Sequence, residues 1–169
     1  MSLTRREAVA AVLTAGIASL CLGDRVLAEQ RLGWPPVIGS TDLFAADELS
    51  GLGLRGFDPV SFFLGAPAPG LAGLEFVRDG VAWRFASGAN RDAFERDPDR
   101  YVPRIGGFDT TAAAEGRLVI ADPLTFAVRN SQLYLFRTER NRARFRDDPA
   151  IGEAAEARWP NLKRELVGL

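Results

Sequence analysis

At 169 residues the chain is long enough for one domain with its own core. Hydrophobic residues make up 47% and charged residues 25%, ordinary globular proportions. The net charge of −1 lacks the basic excess that a nucleic-acid or anionic-membrane partner would need.

The N-terminus is read first. Thr4-Arg5-Arg6 opens a basic region, Ala8 to Leu22 is uncharged and apolar or small, and Val26-Leu27-Ala28 offers small residues for cleavage. This order is that of a secretory signal, and the paired arginines point to twin-arginine export, so residues 1–28 are expected to be a signal peptide and the mature chain periplasmic. The apolar run is shorter than the ~20 residues a spanning helix requires, so no membrane span is expected in the mature form. Cleavage would remove Arg5, Arg6 and Arg25 with Glu7 and Asp24, taking the net charge from −1 to −2.

The mature chain is then defined by what it lacks. Cys21 and Met1 are the only cysteine and methionine, both leave with the signal, and there is no histidine. Disulfides, a nitrogen–sulfur zinc site, a soft copper(I) site, thiol catalysis and serine–histidine catalysis are all excluded. Haem ligation by His, Cys or Met is excluded on the same count.

Residues 29–51, with Trp34-Pro35-Pro36, Gly39 and Gly51, read as an extended leader with a short helical turn at Leu43 to Leu49. The compact domain is expected to span 52–169. Phe57 to Phe63 suggests a short strand or strand-turn. Leu74 to Arg78 and Val81 to Phe85 flank Asp79-Gly80, the signature of a β-hairpin with a two-residue type I′ turn. Asn90 to Arg96 is expected to be helical, with Phe94 inward and Pro98 closing it. Asp109 to Glu115 is helix-compatible and stops at Gly116. Leu118 to Ile120, Thr125 to Val128 and Leu133 to Phe136 look like strands. Arg140 to Arg146 reads as a helix, followed by two short helical pieces around Trp159-Pro160.

An internal repeat runs through this part without gaps. Trp83-Arg84-Phe85, Ser87, Asn90-Arg91, Phe94 and Asp97-Pro98 recur 51 positions later as Tyr134-Leu135-Phe136, Thr138, Asn141-Arg142, Phe145 and Asp148-Pro149. The expected fold is therefore α+β: a small antiparallel sheet with short helices, containing two related strand-helix units around 83–98 and 134–149. Asn90 and Asn141 could be paired ligands, but capping or tying a helix start explains the residue type without one.

The stretch from Leu52 to Leu162 resembles the YHS domain family in its exported bacterial form. The residues that carry the resemblance are Gly56-Phe57-Asp58-Pro59-Val60-Ser61-Phe62-Phe63, Trp83-Arg84-Phe85-Ala86-Ser87 and Asn90-Arg91-Asp92-Ala93-Phe94. Asp97-Pro98, Tyr101-Val102-Pro103, Gly106-Gly107-Phe108, Asp122-Pro123, Leu133-Tyr134-Leu135 and Trp159-Pro160-Asn161-Leu162 continue it in the same order. The resemblance implies a small α+β domain with a family link to metal handling, copper especially. Exported members of that family typically carry Gly-Gly-Tyr followed by cysteine or selenocysteine. Here Asp109 stands at that position, so the thiol ligand is absent.

Asp109 at a helix start is the residue type that caps free N–H groups and favours the positive end of the helix dipole. If it instead held a metal, together with Asp58 as a second candidate, the cation would be a hard divalent one such as calcium, magnesium or manganese. Asp58 before Pro59 is also a common turn starter. Arg137, Arg140, Arg142, Arg144 and Arg146 form a basic run able to meet an anion, yet Glu139, Asp147 and Asp148 beside them favour an ion-paired, solvated helix face. Trp83, Tyr134 and Trp159 are expected in the core, and Glu75, Asp79, Asp97 and Asp99 show no catalytic pairing.

These readings point to a periplasmic, YHS-like, non-catalytic binding or accessory module for a small ligand or periplasmic protein, with no catalytic or cofactor residues assigned. Two alternatives stay open. One is a carboxylate-only hydrolase, which would need Asp58 and Asp109 to face one pocket. The other is a protein-interaction domain.

Overall fold

The computed structural model describes residues 44–46 and 50–166. The proposed signal peptide, and most of the stretch read as a leader, lie outside the described residues. Among the described residues nine regular elements follow two 3₁₀ turns at Leu54–Gly56 and Ser61–Leu64. They are β1 (Leu71–Arg78), β2 (Val81–Phe85), α1 (Gly88–Arg96), α2 (Pro98–Tyr101), α3 (Thr110–Ala114), β3 (Asp122–Arg129), β4 (Gln132–Phe136), α4 (Glu139–Asp147) and α5 (Ala150–Leu166). The fold is α+β, with its strands arranged as two separate two-stranded antiparallel sheets, β1–β2 and β3–β4.

The repeat governs the architecture. β1, β2 and α1 recur 51 positions later as β3, β4 and α4, end for end. The registers match as well: Leu71 pairs with Phe85 and Asp122 with Phe136, Glu75 with Arg84 and Phe126 with Leu135, with a break in register at the same place in each hairpin. Asp79-Gly80 turns the first hairpin with φ of 52° and 76°, the left-handed backbone expected for a type I′ turn. Asn130 and Ser131 turn the second with φ of 52° and 59°. Ser87 caps α1 and Thr138 caps α4, each side-chain oxygen accepting the N–H of the asparagine three residues on at 3.2 Å.

The same spacing sets the core. Phe94 packs against Trp83 and Phe85, with ring centroids 5.5 and 5.2 Å away. Phe145 packs against Tyr134 and Phe136 at 4.8 and 5.1 Å. Both phenylalanines are fully buried, so each unit carries its own aromatic nucleus, in the tilted geometries such rings prefer. Ile105, Ala113, Ala155 and Leu162 form a third cluster where α5 packs along α3, with Trp159 half-buried beside it.

Several local expectations need correction. Of the two readings of Phe57 to Phe63, a short strand or a strand-turn, the strand fails and the chain turns. Phe57 makes one bridge to Pro69, and the chain then turns into the 3₁₀ helix because Asp58 accepts the N–H of Val60 at 2.8 Å. Leu118 to Ile120 contributes a single bridge, Phe108 to Ile120, rather than a strand. Pro98 ends α1 but also opens α2, where its missing N–H costs nothing. The two helical pieces around Trp159-Pro160 are one helix, α5, running through Pro160. Pro160, which is exposed, cannot donate to the carbonyl of Glu156, so the helix runs on with one backbone hydrogen bond missing. Residues 44–46, within the expected leader, pack on the domain. Ala45 N–H donates to the Gly106 carbonyl at 2.5 Å, Ala46 bridges Gly53, and Phe44 lies edge-on to Trp83 at 5.4 Å. Among the described residues no helix is long and apolar enough to cross a membrane.

Candidate functional site

Asp58 and Asp109 are both fully buried, and they occupy equivalent positions in the two units. The Oδ1 of Asp58 accepts from Val60 N at 2.8 Å, and its Oδ2 accepts from Ala86 N at 2.9 Å and Asn90 Nδ2 at 2.6 Å. The Oδ1 of Asp109 accepts from Ala112 N at 2.8 Å, and its Oδ2 accepts from Arg137 N at 2.5 Å and Asn141 Nδ2 at 2.8 Å. Each carboxylate therefore closes its own unit, joining the loop before the hairpin to the helix after it. Each carboxylate thus meets three N–H donors, the hydrogen-bonded surroundings that a buried polar group requires.

Asp109 is the cap of α3, as its position at the helix start suggests. Asn90 and Asn141 tie the helix starts by donating their amides to the aspartates. Asp58 and Asp109 do not meet in one pocket: neither lines any of the clefts described below. Among the described residues no group of three or more Asp, Glu, His or Cys could hold a metal ion. Three of the other carboxylates weighed from the sequence are engaged by arginines. Glu75 pairs with Arg84 at 2.7 Å, and Asp79 and Asp99 pair with Arg78 at 2.9 and 2.8 Å.

The pairing of the aspartates was open to view in the sequence. Gly56-Phe57-Asp58 and Gly107-Phe108-Asp109 stand 51 residues apart, so the repeat extends upstream of the hairpins. Backbone bonds obey the same shift: Asp58 N donates to Ala68 O and Asp109 N to Val119 O, while Gly70 N donates to Gly56 O and Ala121 N to Gly107 O.

Where these upstream loops face each other lies a cleft of about 250 Å³. Leu54, Arg55 and Trp83 line it from the first unit, Gly106, Gly107 and Leu135 from the second, and Phe44 to Ala46 from the preceding segment. Trp83 is almost wholly buried, yet its Nε1–H has no hydrogen-bond partner among the described residues. An unmade buried bond of this kind costs about 1–3 kcal/mol. Arg55 is exposed and holds a left-handed backbone, φ 51°, as does Leu54 at φ 52°. The position equivalent to Arg55 is Gly106, φ 58°, which adopts that conformation freely. A bulky residue in the left-handed region carries a strain of about 1–2 kcal/mol, and here it places a cation at the rim of the cleft.

A polar cluster on the other side joins β4 to α5. Tyr134 Oη donates to Glu156 Oε1 at 2.6 Å, and Arg104 meets the Glu156 carboxylate at 3.2 Å. Burial, reinforced by the Glu156 hydrogen bond and charge, pushes the Tyr134 phenol up to about 12. Burial works to raise the Glu156 carboxyl, but hydrogen bonds from Arg104 and Tyr134 outweigh it and hold the group below its ordinary value. The cluster ties elements together; no acid in it is poised for proton transfer near neutral pH.

Compared with models of known protein families, with curated proteins and with solved structures, the chain matches none.

Proposed function

We propose that the mature chain is a periplasmic, non-catalytic binding module of the YHS type, and that its ligand occupies the cleft between the two repeated units. The observation that carries this reading is a cleft lined by Trp83 and rimmed by Arg55, whose backbone is strained, with the buried indole N–H of Trp83 left unpartnered among the described residues. Strain and an unmade hydrogen bond in one place are costs that a bound molecule can offset. The ligand class that fits is a small organic anion: an apolar body against Phe44, Leu54 and Leu135, and a negative group for Arg55. The saturation of Asp58 and Asp109 by N–H donors supports a binding role over carboxylate catalysis or cation binding.

The test is native mass spectrometry with elemental analysis on protein recovered from the periplasm without chelators, beside Arg55→Gly and Asp109→Ala. The expected result is a chain processed after Ala28, an organic mass that Arg55→Gly fails to retain, and no stoichiometric metal. A divalent metal lost in Asp109→Ala, or no retained mass in any sample, would overturn the reading.

A further inference from the structure

The two units differ most on one face, and the differences act together. In the first unit Phe76 lies edge-on to Phe94, ring centroids 6.0 Å apart, and covers it. The equivalent residue in the second unit is Ala127, and the space a ring would fill is an open groove of about 470 Å³ over Phe145. Phe126, Val128, Arg129, Arg142 and Arg146 also line it.

The acids are missing as well. In the first unit Arg78 is held by Asp79 and Asp99, and Arg91 by Glu95 at 3.2 Å and Asp92 at 3.3 Å. In the second unit Asn130, Ala150, Arg146 and Ala143 stand at those four acidic positions, while both arginines remain as Arg129 and Arg142. The groove is thus lined by three arginines and no carboxylate.

Arg129 shows what has been lost. Its guanidinium lies 3.9 Å from the centre of the Phe145 ring. Its Nη2 donates to the carbonyls of Phe145 at 2.7 Å and Arg146 at 3.3 Å, at the end of α4. Its Nη1 is buried with no partner among the described residues. Two of the groove arginines have acidic partners outside its lining: Glu139 pairs with Arg142 at 2.7 Å, and Asp147 meets Arg146 at 3.7 Å with both side chains largely exposed. Exposed pairs of this kind contribute little and exchange readily.

We propose that this groove binds a small aromatic carboxylate. Its ring takes the volume that Phe76 fills in the first unit, and its carboxylate supplies the negative charge that Asp79 and Asp99 supply there. The first unit serves as an internal reference for the occupied state, with ring and acids provided by the chain itself. Nothing in this site depends on the cleft between the units.

The probe is phenylacetate, titrated into the mature protein and followed by amide chemical shifts. Saturable shifts are expected at Phe126 to Arg129 and at Phe145 and Arg146. Ala127→Phe, which restores the ring already accommodated in the first unit, is expected to weaken binding at least about tenfold by filling the groove. Arg146→Glu, which restores the first unit's charge, is expected to weaken it about fivefold or more. Benzyl alcohol, which lacks the carboxylate, and inorganic phosphate, which lacks the ring, are each expected to bind more weakly than phenylacetate. The proposal falls if phenylacetate gives no saturable shifts, if Ala127→Phe binds as the parent does, or if either control probe binds as well. Shifts confined to the cleft around Trp83 would also overturn it, while leaving the binding role of that cleft standing.

Discussion

Asp58 and Asp109 each accept the side-chain amide of an asparagine 32 residues downstream, at 2.6 and 2.8 Å, so that two buried carboxylates perform one task in two places. Each also holds a backbone N–H immediately before a helix cap, Ala86 in one unit and Arg137 in the other. The equivalence gives a direct expectation. Asp58→Ala and Asp109→Ala should each cost about 2 kcal/mol or more, since each strands one buried and two part-buried donors that the carboxylate had satisfied. Urea unfolding checks this. A double-mutant cycle of Asp58→Ala with Asn90→Ala should show a coupling of about 1 kcal/mol or more, matched by Asp109 with Asn141.

Two glycines should respond in opposite directions. A Cβ on Gly70 would stand 2.4 Å from the Arg84 Cβ and 2.6 Å from its carbonyl carbon, where the backbone cannot give way. Gly70→Ala is expected to destabilise by about 2 kcal/mol or more. Gly88, in the first turn of α1, has nothing within 4 Å of its would-be Cβ. Gly88→Ala should stabilise by about 0.5–1 kcal/mol, by limiting the unfolded chain. Thermal midpoints of the two variants should therefore lie on opposite sides of the parent.

The Tyr134–Glu156–Arg104 cluster should be felt at both ends of the pH scale. Glu156 is held below its ordinary 4.5, so the stability it adds is complete above about pH 4.5 and is lost as pH falls through the lowered value. Tyr134 is raised from 10.0 to about 12, so its contribution is complete below pH 10 and disappears as pH climbs towards 12. The stability gap between parent and Glu156→Gln should be constant from pH 5 to 9 and shrink below about pH 4.5. In the same variant the phenol should titrate at lower pH, read by the ultraviolet absorbance of tyrosinate.

Arg55→Gly should separate stability from binding. Removing the side chain relieves a left-handed backbone that glycine tolerates, which should stabilise the free protein by about 0.5–1 kcal/mol. If the cleft binds an anion, the same variant should lose that affinity. A stability gain coupled to a loss of retained ligand is the pattern expected of strain kept for function.

Much of the fold could be read directly from residue patterns. The Asp79-Gly80 turn, the inward Phe94 and the 51-residue repeat are local signals, and local signals place hairpins and short helices well. The continuous helix through Pro160 could not be read that way, because proline is a helix-ending signal in a local reading and here the helix runs on past it. The 3₁₀ turn after Asp58 was hidden by a run of β-favouring residues, Val60 to Phe63, overridden by the aspartate's bond to the Val60 N–H. The aspartate pair needed only the repeat to be followed upstream to Gly-Phe-Asp. The groove over Phe145 was written in Ala127, Asn130, Arg146 and Ala150, but only a register for the repeat makes those four residues differences rather than surface variation. The cleft beside Trp83 had no signal of its own: Arg55 looks ordinary until its φ is known.

Each unit is fastened by a clasp between an aspartate and an asparagine, and the two clasps are nearly interchangeable. A chain built this way carries its own competitor, because Asp58 can close on Asn141 as readily by chemistry as on Asn90. Such an exchange, within one chain or between two, would join like parts in the wrong order. The substitutions that set the units apart then act as a key. Phe76 against Ala127, and the acids of one face against the arginines of the other, make the crossed assembly pack a ring against a hole and leave charges unanswered. Dilute refolding should be clean, while concentrated refolding should yield a slow, exchange-linked dimer whose amount grows when Ala127→Phe and Arg146→Glu make the two halves more alike.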